Sequence, residues 1–192
     1  MPIWLLASSL SFLIGAIPFG SLAARFKGID LRKIGSGNVG ATNVYRALGW
    51  AYAIPIFILD AAKGFLPVWW ILRHSEDPLM HILIGCCAVL GHSFSPFLKF
   101  KGGKGVATTA GILLALCPNV FGIVFSIGIM SILIFRYVAP VSIICSILTP
   151  ILMAVFEYDS VYIAAFSLLA LVIIFRHRSN IVRLISGKEN KL

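Results

Sequence analysis

Long apolar runs decide what this chain can fold into. Residues 50–72, WAYAIPIFILDAAKGFLPVWWIL, carry one Asp and one Lys in an otherwise uncharged stretch. Comparable runs lie at 2–24, 79–98, 106–116, 119–135, 138–156 and 160–175. A helix that crosses the hydrocarbon core of a bilayer needs about 20 predominantly apolar residues. The expectation is an all-α integral membrane protein of about seven transmembrane helices, some short or broken. The composition agrees, since 59% of the 192 residues are hydrophobic, only 12% are charged and the mean hydropathy is +0.98, outside the range of ordinary soluble domains. Little chain is left for a soluble module, so residues 1–192 are expected to form a single membrane-embedded domain.

Residues 106–135 admit two readings by length, one long tilted span or two short helices. Pro118 and Asn119 in its middle favour a break there. Charge supplies a second argument. With the N-terminus outside, Arg25, Lys27, Arg32, Lys33 and Arg46, and then Lys99, Lys101 and Lys104, fall in cytoplasmic loops, while Glu76 and Asp77 fall outside. Placing the basic tail (Arg176, Arg178, Arg183, Lys188 and Lys191) inside as well requires an odd number of crossings. A hairpin over 106–135 provides it, putting Arg136 inside and Glu157 and Asp159 outside. Of the sixteen Lys and Arg residues, all but Arg73 and the intramembrane Lys63 are then cytoplasmic. Five spans plus a re-entrant pair would have the same parity.

The net charge of +9 therefore reports topology and attraction to anionic lipid headgroups, and nucleic acid is not an expected partner. The first apolar run lacks a basic leader and exceeds a signal-peptide core in length, so it is read as a mature span. Cys86, Cys87, Cys117 and Cys145 sit in apolar runs without ligand spacing, which leaves neither a metal site nor a disulfide framework to expect.

The polar chemistry is concentrated in three stretches. The first, GSGNVGATNVYR, spans Gly35 to Arg46. Gly35, Gly37 and Gly40 match GxGxxG in form, but no strand precedes them and no βαβ unit follows, so a dinucleotide site is excluded. A glycine-rich backbone with Ser36, Asn38, Thr42 and Asn43 does offer N–H and side-chain donors to a phosphate, and Arg46 adds a guanidinium fork. The plainer reading is a glycine turn with a helix cap and a rim arginine. The second stretch, GHSFSPFLKFKGGKGVATTAG, places Gly102, Gly103 and Lys104 before the fourth run. It is no Walker loop, because residue 99 is Lys and residue 105 is Gly where that pattern needs Gly and Ser or Thr. Glycines and a lysine at a helix start still suit an anion. The third, HRSNIVRLISGKEN, reads as a basic amphipathic helix with Ile181, Leu184 and Ile185 on one side. His177 and Asn180, three apart, would share a face.

Four further positions carry open readings. Asp60 and Lys63, in mid-span, are either an internal ion pair at i, i+3 spacing or part of a substrate site. His92 is either a proton acceptor or a helix-end histidine bonded to backbone. Ser142, one turn inside the sixth run, is a candidate ligand donor.

In order and on one face, the three stretches resemble the motifs of the bacterial acyl-phosphate:glycerol-3-phosphate acyltransferases, the PlsY family, and the match runs over essentially the whole chain. The resemblance implies transfer of a fatty acyl group from acyl phosphate to the 1-hydroxyl of glycerol 3-phosphate, giving lysophosphatidate in phospholipid synthesis at the bacterial inner membrane. It implies no metal and no cofactor. It makes Ser36, Asn38, Thr42, Asn43 and Arg46 the catalytic and phosphate-holding loop, with Gly37 in its backbone. Lys104 with Gly102 and Gly103 becomes the segment associated with glycerol 3-phosphate, and His177 and Asn180 an active-site pair with Glu189 in support.

One absence fits. The other glycerolipid acyltransferases use His-x4-Asp, and the residues five beyond His74, His81, His92 and His177 are Leu79, Cys86, Phe97 and Val182. An acyl phosphate is already activated, so no nucleophilic side chain is required. What remains is to hold two anions, orient a hydroxyl and stabilise an oxyanion. The proton acceptor is left open between His177, His92 and the phosphate of the donor, with the substrate-assisted route favoured. Membrane lipid and the two phosphate substrates are the expected partners. Docking of a soluble enzyme that makes acyl phosphate stays open, as does a rival reading as an anion transporter or channel.

Overall fold

The computed structural model describes residues 3–192, with the side chain of residue 3 left out, so Pro2, where the first apolar run begins, lies outside the described residues. The chain divides into two compact units, Met1–Ala115 and Leu116–Leu192. Among the described residues every regular element is helical.

The first unit comprises α1 (Ile3–Ala16), α2 (Phe19–Phe26), α3 (Ala41–Leu48), α4 (Trp50–Ile71), α5 (Pro78–Ser93) and α6 (Val106–Leu116), which ends at its boundary. Short 3₁₀ turns occupy Leu31–Lys33 and Pro96–Leu98. The expected span over 2–24 is therefore two helices. Pro18 separates them, because its ring removes a donor and obstructs the preceding turn. Asp77 starts α5 by accepting the Leu79 N–H at 2.9 Å, with Pro78 in the first turn, where no donor is missed.

Glycine and hydroxyl side chains join these helices, as is usual where lipid removes the ordinary hydrophobic drive between them. A Cβ on Gly15 of α1 would collide with the Ala88 carbonyl of α5, and one on Gly91 of α5 with the Phe12 carbonyl of α1. The same relation joins α4 and α6, where Gly64 faces the Thr108 carbonyl and Gly111 the Ala61 carbonyl. Hydroxyls reinforce the seams. Ser11 donates to the Ile84 carbonyl at 2.7 Å, Ser95 to that of Ala16 at 2.6 Å, and Thr108 to that of Asp60 at 3.0 Å. A smaller apolar cluster of Ala24, Leu31, Val44 and Ile56 anchors α2 and α3 to the start of α4.

The second unit holds α7 (Pro118–Phe135), α8 (Val138–Val155), α9 (Ser160–Arg176) and α10 (Arg178–Ile185). Asp159 caps α9 through the Val161 N–H at 2.8 Å. Met153, Phe166, Leu169, Ala170 and Ile173 are buried in this unit. The four cysteines are free thiols.

Among the described residues each of the seven apolar runs is mainly helical, and five segments are long and apolar enough to cross a membrane: Trp4–Phe26, Trp50–Ile71, Pro78–Leu98, Pro118–Phe135 and Val138–Val155. The run at 160–175 belongs to α9, which with α10 forms a pair bent by 56°. The run at 106–116 is α6, whose eleven residues rise only about 16 Å against a hydrocarbon core of about 30 Å. Pro118 begins α7 after a break at Cys117, so 106–135 is two helices. Exposed Ile58, Leu133, Ile134, Leu168 and Leu171 present apolar faces of the kind that lipid covers.

Candidate active site

In the first unit the two glycine loops are tied to each other. Arg32, on the 3₁₀ turn before the first loop, donates from Nη2 to the Leu98 carbonyl at 3.1 Å, just before the second. In the sequence Arg32 stands out only as one of several cytoplasmic cations. A 3₁₀ turn capped by Asp30 sets its position.

The first loop is shaped by left-handed glycines and one buried amide. Gly35 and Gly37 have φ values of 55° and 69°, which side chains other than glycine seldom adopt. Asn43, 1% exposed on α3, donates from Nδ2 to the Leu31 and Ile34 carbonyls, each at 2.9 Å, and its Oδ1 accepts the Ser36 N–H at 3.1 Å. Both amide hydrogens and the amide oxygen thus take part in holding the loop. Ser36 Oγ accepts the Asn38 N–H at 3.4 Å. Gly40 caps α3 in extended conformation, so Ala41 and Thr42 open the helix with the N–H groups that a helix start directs at an anion. Arg46 lies one turn further on, against Gly35, where a Cβ would come within 3.1 Å of its Cδ.

The second loop is held by the end of α5. The Gly102 N–H donates to the Ser93 carbonyl and the Gly103 N–H to the His92 carbonyl, both at 3.1 Å. Neither glycine has room for a Cβ, Gly102 meeting the His92 carbonyl and Gly103 the His92 ring. Gly105 turns left-handed at φ 84° and releases the chain into α6, leaving Lys104 half-buried at the helix start. Lys99 and Phe100 also adopt left-handed backbone, at φ 53° and 60°, conformations that cost energy for side chains of their size.

Asp60 and Lys63 form the ion pair that their spacing allowed, with Lys63 Nζ 2.6 Å from Asp60 Oδ1 and both side chains buried. His92 is buried beside them.

The tail motif lies in the second unit. His177, 3% exposed, closes α9, and its Nδ1 is 2.8 Å from the Ile173 carbonyl. A carbonyl can only accept, so Nδ1 carries the hydrogen and, in the neutral ring, the lone pair sits on Nε2. The Asn180 N–H donates to the His177 carbonyl at 2.8 Å. Glu189 holds the other side of this corner, accepting from Asn180 Nδ2 at 2.7 Å and from Arg183 Nε at 2.9 Å. The Ser142 hydroxyl donates to the Val138 carbonyl of its own helix at 2.9 Å.

The chain as a whole is similar to proteins of known family. The glycerol-3-phosphate acyltransferase family model matches residues 5–187. A glycerol-3-phosphate acyltransferase of Carboxydothermus hydrogenoformans is 43% identical over 98% of this chain and 96% of its own, and one of Fusobacterium nucleatum is 41% identical over 95% and 94%. Among solved structures, the glycerol 3-phosphate form of PlsY, described as an integral membrane glycerol 3-phosphate acyltransferase, superposes with a TM-score of 0.95 at 38% identity, covering 100% of this chain and 96% of that one. Its lysophosphatidic acid form gives 0.92 at 37% identity. With a family model spanning nearly the whole sequence and relatives above 40% identity end to end, the chain belongs to the glycerol-3-phosphate acyltransferase family and is a multi-pass membrane acyltransferase.

Proposed function

We propose that the protein transfers a fatty acyl group from acyl phosphate to the 1-hydroxyl of glycerol 3-phosphate, yielding lysophosphatidate and inorganic phosphate, at the cytoplasmic face of a bacterial inner membrane. The observation that carries the reading is the pairing of two glycine loops in one unit, tied through Arg32 and Leu98. Arg46 stands on the helix that follows the first loop, against Gly35, and Lys104 ends the second between Gly103 and Gly105, so each glycine backbone has a cation beside it. Two phosphate-bearing substrates call for two such cradles.

The hydroxyl oxygen attacks the acyl carbon, a tetrahedral oxyanion forms, and the bond to the phosphate oxygen breaks with its electron pair leaving on phosphate. The proton of the hydroxyl goes to that phosphate, so no acyl-enzyme arises and no protein base is required. Arg46, the first N–H groups of α3, Ser36, Asn38 and Thr42 bind the donor's phosphate and share its developing charge. Lys104 and the Gly102–Gly103 backbone hold glycerol 3-phosphate. Asn43 acts through the loop it ties. In the second unit, His177 with Nε2 as acceptor is the protein group suited to orient a hydroxyl, and Asn180, held by Glu189, orients polar substrate atoms. One membrane-embedded acyltransferase domain, supplied with acyl phosphate by a separate soluble enzyme, accounts for all of these residues. Anion transport would call for an uncompensated charge at membrane depth, and Asp60 and Lys63 pair with each other there.

The test is lysophosphatidate formation by purified protein in lipid, with glycerol 3-phosphate and either palmitoyl phosphate or palmitoyl-CoA. Product from palmitoyl phosphate alone is expected. Product from palmitoyl-CoA alone would overturn the donor assignment, and no product from either, in folded protein, would overturn the enzyme reading.

A further inference from the structure

The Asp60–Lys63 pair sits in the interior of α4, at membrane depth, where an unpaired charge is costly and a paired one is usually there for a reason. It is not isolated. On α5, His92 brings Nδ1 to 3.5 Å from Lys63 Nζ and 3.8 Å from Asp60 Oδ1, and the Phe19 ring lies 4.9 Å from the same ammonium. These groups line a small cleft at the break between α1 and α2, together with Pro18 and Val39.

His92 also touches the second glycine loop in two ways. Its carbonyl accepts the Gly103 N–H at 3.1 Å, and its ring nitrogen Nε2 occupies the space that a Cβ on Gly103 would need. One edge of the imidazole thus faces a buried ion pair and the other faces the backbone next to Lys104. We propose that Asp60, Lys63 and His92 are positioning residues, a buried brace that fixes the Gly102–Gly103 backbone and thereby the place to which Lys104 delivers its ammonium. An ion pair serving only packing would be replaceable by apolar residues of similar volume without effect on the loop. A brace would not be.

The inference rests on the proposed function for its kinetic arm alone. The test compares the intact protein with the paired variant Asp60→Leu/Lys63→Met, which removes both charges together so that neither is stranded, and with His92→Ala. Amide hydrogen exchange at Gly102 and Gly103 is read first, without any substrate. Both amides should be protected in the unaltered protein and exchange about tenfold faster or more in the variants, and KM for glycerol 3-phosphate should rise about tenfold while that for palmitoyl phosphate changes less than about twofold. Unchanged exchange with both KM values held, or equal rises in both KM values, would overturn the brace. If the paired variant fails to fold, His92→Ala decides by the same readouts. Fast exchange at Gly102 and Gly103 in the unaltered protein overturns the proposal without any variant. Absence of lysophosphatidate from the unaltered protein would instead sink the functional reading and leave the exchange result standing on its own.

Discussion

Asn43 and Ser36 lie in the same loop, yet their substitution should have opposite signatures. Asn43 satisfies two carbonyls and one N–H from a buried position. Asn43→Ala strands those groups, which costs roughly 2–3 kcal/mol and should lower the thermal midpoint by about 5–10 °C in detergent, with activity lost through the loop. Ser36 is half-buried and its hydroxyl accepts only a long hydrogen bond from Asn38. Ser36→Ala should therefore leave the midpoint within about 2 °C while kcat/KM falls about 10- to 100-fold, the worth of one hydrogen bond to a charged phosphate. Activity unchanged in Ser36→Ala would remove that residue from the site. The sequence shows both residues as polar groups among glycines. What separates them is the geometry of carbonyls nine and twelve residues away from Asn43, which spacing alone does not disclose. The i, i+3 pairing of Asp60 with Lys63 was legible because a helix brings such neighbours together. The arrival of His92, 29 residues on from Lys63, depends on how α4 packs against α5.

At the scale of elements, the helices of the first unit are joined by glycines facing carbonyls. Gly111→Val should cost about 1–3 kcal/mol, because its Cβ meets the Ala61 carbonyl and the backbone of α4 must retreat. Gly122→Ala on α7, where a Cβ meets nothing within 4 Å, is the control and should be neutral or slightly stabilising in thermal unfolding. Equal effects would mean that the α4–α6 seam is looser than described. The apolar runs locate α1, α4, α5 and α6, since length and lack of charge suffice for that, but not α3, which lies between two runs. They do not reveal that the run at 2–24 breaks at Pro18, because hydropathy treats that proline as one more uncharged residue. Nor do they show that α6, too short to cross, is gripped through Gly64 and Gly111.

For the molecule as a whole, the distribution of basic residues predicts an N-terminus outside and a tail in the cytoplasm. In intact cells a membrane-impermeant maleimide should label a cysteine at Glu76 and not one at Lys188, and the reverse pattern would invert the topology. The central claim is that the two glycine loops are the phosphate site. It is tested most directly by Lys104→Met and Arg46→Gln, assayed with glycerol 3-phosphate and palmitoyl phosphate in proteins of matched thermal midpoint. Arg46→Gln removes a charge-assisted contact to the phosphate on which charge develops, and Lys104→Met one that holds glycerol 3-phosphate, so kcat/KM should fall about 10²- to 10³-fold in each. Activity within about twofold of the unaltered protein in both variants would contradict the account and place the chemistry elsewhere.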